Sequence, residues 1–263
     1  MADRLFDPLA EFRLDDQVAV VVGGANGIGR AIADAYAGVG AIVAIVDRDL
    51  ERAHGAAAAL CSAGATAEAY PLDVTDSAEI ERVFEGISRQ YGRFDVLVNS
   101  AGVALREPAI EVSAKDWQTV VDVNLTGLFF CARTGAKKMM AAARGGRIVN
   151  IASIMGVSGG GLYPNASYQA TKGAVVNLTR ALAIEWAEAE IRVNAIAPTY
   201  VRTNFIRGLL DQPELVAQIE AMTPLGRLAD PADITGAAIY LASAASRMVT
   251  GHILPVDGGF LAQ

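Results

Sequence analysis

Seven short apolar runs alternate with longer amphipathic stretches along the chain. Asp15 and Asp16 precede Val18-Ala19-Val20-Val21-Val22, an unbroken run short enough to be a strand buried on both faces. A glycine-rich turn follows, Gly23-Gly24-Ala25-Asn26-Gly27-Ile28-Gly29. Residues 30–39 then read as a helix stopped at Gly40, and residues 41–46 as a second strand closed by Asp47. The alternation continues with a helix over 50–63, stopped at Gly64, and a strand over 67–72 leading to Asp73-Val74. Residues 77–91 form a helix capped by Asp76 or Ser77 and ended by Gly92. A strand over 95–99 leads into Ser100-Ala101-Gly102.

Residues 114–142 read as one long helix, broken by Gly145-Gly146 before a fifth strand over 147–151. A glycine-rich loop, 156–165, precedes a helix that opens around Tyr168 and runs to about Ala189. Residues 191–196 give a sixth strand ending at Pro198, and 250–257 hold the last. Between them, 199–224 is less regular, with Pro213 and Pro224, and fits a mobile substrate lid. Pro231 opens a final helix, the tolerated place for proline. No linker, low-complexity segment or repeat interrupts the series. The economical architecture is α/β: one Rossmann-type, doubly wound parallel sheet of about seven strands with helices on both faces, a single domain over 1–263.

Composition narrows the function classes. The chain has 263 residues, 52% hydrophobic and 19% charged, which suits a large core and not a disordered chain. A net charge of −7 argues against nucleic acid as a partner and gives no support for anionic membranes. The first eleven residues carry Asp3, Arg4, Asp7 and Glu11 and do not read as a secretion signal. No run approaches the length of a membrane span. Cys61 and Cys131 do not suggest a disulfide framework, and His54 and His252 are too isolated for a metal site. A cytoplasmic location follows.

The chemistry concentrates in two places. In the first turn, small residues let the backbone approach a pyrophosphate, and the helix that follows offers free N–H groups and a positive dipole end. A tight turn alone would show the same glycines. Asp47 sharpens the picture: 18 residues after Gly29, it can accept from both ribose hydroxyls and repel a 2′-phosphate, favouring NAD over NADP. Arg48 softens that exclusion. The second place is Tyr168-x-x-x-Lys172, one face of a helix. An ammonium beside a phenol favours the phenolate, which makes the pair a proton-transfer device, although a surface Tyr-Lys pair would read the same. Asn124 sits among apolar neighbours, and Ser153 follows the fifth strand at the edge where such sheets bind ligands.

Gly23-x-x-x-Gly27-Ile28-Gly29, Asp73-Val74, Asn99-Ser100-Ala101-Gly102, Asn124, Ser153, Tyr168-x-x-x-Lys172 and the stretch from Asn194 to Pro198 together resemble the short-chain dehydrogenase/reductase family from about Leu14 to Ala262. The resemblance implies that Tyr168 is the acid/base and that Lys172 lowers its pKa and holds the nicotinamide ribose. Ser153 would bond the reacting oxygen, and Asn124 would support a water relay from Lys172. Gly23, Asn26, Gly27, Ile28 and Gly29 would cradle the pyrophosphate, Asp47 and Arg48 would meet the ribose, and Asp73 and Val74 the adenine. Asn99 would stabilise the central strands beside Ala101 and Gly102. The backbone from Pro198 through Thr199 to Val201 would meet the nicotinamide amide, and Thr203 would be a further cofactor contact.

The sequence departs from the family pattern at Val22 for threonine, Ser100 for asparagine and Thr199 for glycine, and in the 15-residue spacing from Ser153 to Tyr168. The stretches 103–107, 154–165 and 200–222 would line the pocket, and the substrate would lie among Ser153, Met155, Asn165, Tyr168 and Tyr200, with Ser158, Tyr163, Phe205 and Met222 as further candidates. The Asn-Ser-Ala-Gly variant, Asp47 and the region of Met222-Thr223-Pro224 look similar to NAD-dependent polyol and sugar-alcohol dehydrogenases. The expected reaction is hydride transfer between a secondary alcohol, a polyol or other small hydroxy compound, and NAD. Two rivals stay open: a 3-oxoacyl-carrier-protein reductase docking through Arg133, Lys137 and Lys138, and a dinucleotide-sensing protein without turnover. The resemblance also implies a homotetramer. No ligand cluster marks the C-terminal metal site that some relatives carry.

Overall fold

The computed structural model describes residues 7–263. The reading of the chain start as no secretion signal therefore falls partly outside the described residues. The strands are β1 (Val18–Val22), β2 (Ile42–Asp47), β3 (Ala67–Pro71), β4 (Val96–Asn99), β5 (Gly146–Ile151), β6 (Ile191–Pro198) and β7 (Ile253–Val256). They form one seven-stranded sheet in the order β3-β2-β1-β4-β5-β6-β7, every neighbouring pair parallel. The connection order reverses between β1 and β4, which leaves a crevice at their C-terminal ends.

The unbroken apolar runs have the cause that the sequence suggests. Val18, Val20 and Val22 point to one layer and Ala19 and Val21 to the other, and all five are buried. One layer packs helices α1 (Gly27–Gly38), α2 (Leu50–Ser62) and α9 (Pro231–Ala242) on the sheet. The other packs α3 (Ser77–Tyr91), α5 (Leu128–Ala142) and the end of α6 (Ala166–Glu185). Helix α3 is capped by Asp76, whose carboxylate accepts from the amides of Ala78 and Glu79, and it ends on left-handed Gly92.

Arg192 fastens the end of α9 to β6: its guanidinium donates to the carbonyls of Leu241, Ser243 and Val249 and to the Ser246 hydroxyl. Burial lowers its pKa to about 10. Arg133 and Lys137 pair with Glu81, and Lys138 with Glu85, across the seam between α5 and α3. All three cations thus have a carboxylate partner within the fold, Glu81 being shared by two of them.

Two expectations are corrected. The long helix over 114–142 is two helices, α4 (Ala114–Val121) and α5, joined by a π-turn at Asp122–Gly127. The surplus residue brings Asn124 inward to full burial. The stretch 199–224 is more regular than its prolines suggest. It holds a 3-10 turn (Asn204–Ile206), α7 (Arg207–Leu210) and α8 (Pro213–Met222), with Pro213 at the start of α8. Ile206, Leu209 and Ile219 pack with Ile154, Met155, Tyr200, Leu228 and Phe260 in a small apolar cluster of their own.

A buried polar chain runs through the centre. Asn99 Nδ2 donates to Asn150 Oδ1 at 2.9 Å, and Asn150 Nδ2 donates to Thr179 Oγ1 at 3.0 Å, linking β4, β5 and α6. Asn150→Ala strands both neighbours in a site without water access. It is expected to cost about 2–4 kcal/mol in urea unfolding; a loss below about 1 kcal/mol would show that the chain contributes little.

Candidate active site

A cleft of about 430 Å³ opens along the C-terminal ends of β1, β2, β4, β5 and β6. At its first end the glycine turn crosses from β1 to α1. Gly23 has φ +77° and lies so close to the β4 loop that a Cβ there would sit 2.6 Å from the Ala101 amide nitrogen. A Cβ on Gly29 would run into the Gly23 carbonyl oxygen, so Gly29 serves the packing of α1 on the turn. The side chain of Asn26 makes no capping bond, and the first turn of α1 faces the cleft with Asn26, Gly27 and Ile28. Opposite stands Thr203, whose methyl group would be 3.4 Å from a Cβ on Gly27.

Asp47 closes β2 and anchors this end. One carboxylate oxygen accepts from the Ala25 amide and the other from the Asp49 amide, both at 3.1 Å. Exposed Arg48 stands beside it, and Asp73 lies within its electrostatic reach. Asp73 accepts from the amide and hydroxyl of Thr75, which hold its carboxyl below the usual range, with Arg48 adding to the effect. Arg48, Asp73, Val74, Ala101 and Gly102 all line the cleft. An open helix start, a glycine-rich turn and an acceptor at the end of β2 fit a dinucleotide. Thr199 adds a buried hydroxyl oxygen without a hydrogen-bond partner at the other end.

Ser153, Tyr168 and Lys172 meet at the far end of β5. Ser153 Oγ accepts from the Met155 amide at 3.1 Å, which seats the hydroxyl at the strand end. Tyr168 and Lys172 stand one turn apart on α6, with the ammonium 5.6 Å from the phenol ring centroid. Lys172 Nζ donates to the Ile151 carbonyl at 2.7 Å. Its burial lowers its pKa to about 8.

The expected lowering of the Tyr168 pKa by Lys172 meets a different balance here. Desolvation pushes the phenol above its usual 10, while the Ser153 hydroxyl and the Arg106 guanidinium pull it back. Asn124 lies just beneath. Its Oδ1 accepts from the Val103 amide, and its Nδ2 donates to the Val103 carbonyl and the Thr171 hydroxyl.

Asn165, Met155, Tyr200, Pro198, Thr199, Val201 and Thr203 complete the walls. Asn165 already accepts from Gln169 at 2.6 Å. Gly29, Asn99 and Asn124 do not line the cleft: Gly29 is buried under the turn, Asn99 is bound to Asn150, and Asn124 is fully buried. Arg106 lines it together with Val103 and Ala104, within the stretch 103–107 expected at the pocket, although the sequence does not distinguish Arg106 from its neighbours there. Among the described residues no group of three or more His, Cys, Asp or Glu side chains gathers to hold a metal, and no helix is long and apolar enough to cross a membrane.

A family model described as Enoyl-(Acyl carrier protein) reductase matches residues 23–261. The chain is 41% identical to a D-threitol dehydrogenase of Mycolicibacterium smegmatis over 250 residues, 95% of each chain. The crystal structure of a short-chain type dehydrogenase/reductase from Mycobacterium marinum superposes with a TM-score of 0.94 at 33% identity, covering 98% of this chain and all of that one. A gluconate 5-dehydrogenase from Burkholderia cenocepacia, in complex with NADP and tartrate, gives 0.94 at 36% identity with the same coverage. With its glycine turn, its Ser153, Tyr168 and Lys172 at one strand end and relatives of full length, the chain belongs to the short-chain dehydrogenase/reductase family and is a dinucleotide-dependent oxidoreductase.

Proposed function

We propose that the protein oxidises a secondary alcohol, a polyol or another small hydroxy compound, to its ketone with NAD, and runs the reverse reaction. The observation that carries this is the meeting of Ser153, Tyr168 and Lys172 beside the cleft at the end of β5. A D-threitol dehydrogenase among its relatives supports the polyol class. When bound, the dinucleotide supplies the hydride acceptor. Ser153 and Tyr168 hold the substrate oxygen between them, and Tyr168 takes its proton. Lys172 supplies positive charge next to the phenolate and passes the proton toward solvent near Asn124. The stretch 199–224 acts as the lid that excludes water.

Asp47 supports NAD over NADP, because a carboxylate fixed by two amides cannot turn away from a 2′-phosphate. A relative solved with NADP and the exposed Arg48 speak for the other cofactor. Carrier-protein docking through Arg133, Lys137 and Lys138 loses support, since all three pair with α3. We also propose a homotetramer in the cytoplasm; the exposed Ile184 on α6 and Met248 before β7 offer apolar surface for it.

The test is initial-rate NADH or NADPH formation with both cofactors against polyols, simple secondary alcohols and 3-hydroxyacyl thioesters. Turnover of acyl thioesters with NADP alone would overturn the proposal. Tyr168→Phe is expected to lose about 10²–10⁴-fold in kcat with NADH binding preserved; unchanged turnover would remove Tyr168 from the chemistry. Because burial raises the phenol pKa, alcohol oxidation should gain rate toward alkaline pH, and a flat profile from pH 7 to 10 would contradict that.

Lys172 carries a stability signature of its own. Its folded pKa of about 8 lies below its ordinary 10.5, so the folded state binds the proton less tightly than the unfolded chain does. Burial of the charge thus costs stability fully below pH 8, and the cost fades as pH rises toward 10.5. Lys172→Met removes this titration, so the unfolding temperature of the parent relative to the variant is expected to rise between pH 8 and 10.5, and a constant difference would contradict it. Thermal unfolding across that range checks it.

A further inference from the structure

The acidic and basic side chains of the cleft are unevenly placed. Asp47 and Asp73 stand at the dinucleotide end with Arg48. At the other end the charged lining residues are Lys172, seated on the Ile151 carbonyl, and Arg106. Arg106 has no carboxylate partner among the described residues; one guanidinium nitrogen donates to the Phe205 carbonyl at a long 3.3 Å. Its guanidinium carbon lies 5.0 Å from the centre of the Tyr163 ring. The same Phe205 places its ring 5.9 Å from that of Tyr168. Arg106 is therefore one residue away from the proton-transferring phenol.

Two hydroxyls beside it are also unspent. Tyr163 and Tyr200 each keep a buried hydroxyl oxygen without a hydrogen-bond partner, and both line the cleft. A buried hydroxyl left without a partner costs free energy, so such groups normally meet a ligand or water. Arg106 lowers the pKa of both phenols against the upward push of burial, which places all three groups within electrostatic reach of one another. A guanidinium with free donors and two unpartnered hydroxyls lining the same cleft suit a planar anion with two oxygens. A neutral polyol would leave the guanidinium charge uncompensated.

We propose that Arg106, Tyr163 and Tyr200 form a carboxylate-binding subsite, so that the alcohol turned over belongs to a hydroxy acid anion. This rests on the reading of the cleft as a secondary-alcohol dehydrogenase site. Arg106 is then a specificity-determining residue. It fixes one end of the substrate while Ser153 and Tyr168 hold the reacting oxygen at the other. Its tie to the Phe205 carbonyl also lets the bound anion report to the 3-10 turn at the start of the lid. In a protein of net charge −7, a local cation is what draws an anionic substrate to the cleft.

The experiment compares D-gluconate, D-glucitol and D-glucitol 6-phosphate as substrates of the full chain, with NAD and NADP, for the parent, Arg106→Gln and Arg106→Lys. The expected result is preference for gluconate, a loss of about 10–100-fold in kcat/KM for gluconate in Arg106→Gln carried mainly by KM, partial recovery in Arg106→Lys, and a much smaller loss on glucitol, of the size that the weaker pull on the Tyr168 phenol causes for both substrates. Arg106 is exposed, so both variants should keep the parent unfolding temperature. Glucitol preferred by the parent, or an equal loss on gluconate and glucitol, overturns the subsite and leaves the dehydrogenase reading standing. Preference for the phosphate overturns the carboxylate assignment. No turnover of any of the three together with turnover of simple secondary alcohols overturns the subsite alone. No alcohol turned over at all, with NADH still bound, overturns the dehydrogenase reading and the subsite with it.

Discussion

Everything chemical in this protein depends on holding one helix, α6, at a fixed height against the sheet. Tyr168 and Lys172 are carried by α6, while Ser153 belongs to β5, so a slip of the helix would separate them. Apolar packing alone is non-directional and tolerates small slides. Two polar contacts remove that freedom: Thr179 bonded to Asn150, and the Lys172 ammonium bonded to the Ile151 carbonyl. Both join α6 to β5 itself, and the first continues to Asn99 on β4. The asparagines are as much part of the candidate site as the groups that line the cleft, although they never reach it.

The architecture was largely legible because a parallel sheet with both faces covered writes its strands as plain apolar runs, as in Val18–Val22. Its site was legible because side chains at strand ends and first helical turns are placed by local geometry. Asp47, Ser153 and Tyr168 are of this kind. The π-turn was not legible: Asp122–Gly127 has the composition of ordinary helix, and its surplus residue is stabilised by tertiary bonds from Asn124 to Val103. Nor was the order in 199–224, where local prolines suggest irregularity and a distant apolar cluster decides otherwise. Arg106 was legible only as part of the stretch 103–107, and its particular role was not. Its meaning comes from Tyr163, Tyr200 and Phe205, which lie far from it in the chain.

The two ends of the cleft follow opposite electrostatic rules. At the β2 end, Asp47 is fixed by two amides where hydroxyl donors of a ribose would sit, and Thr75 with Arg48 holds the Asp73 carboxyl below its usual range. At the β5 end, burial disfavours charge on both Tyr168 and Lys172: it holds Tyr168 as the neutral phenol and brings the neutral form of Lys172 close in energy to its ammonium, with a pKa of about 8. An amine poised in that way exchanges its proton with little driving force needed in either direction. The same low-dielectric surroundings that make the site responsive make it costly to keep.

The π-turn between α4 and α5 has a consequence for how length is written into this chain. An α-helix advances about 100° per residue. One residue beyond the regular count therefore turns all that follows by about that angle. Helix α4 can thus present its apolar side to one set of neighbours while α5 presents Cys131, Ala132, Ala136 and Met139 to the sheet. Between residues 114 and 142 the number of residues is itself a structural signal, separate from their identity. Here a missing residue would be a graver error than a wrong one.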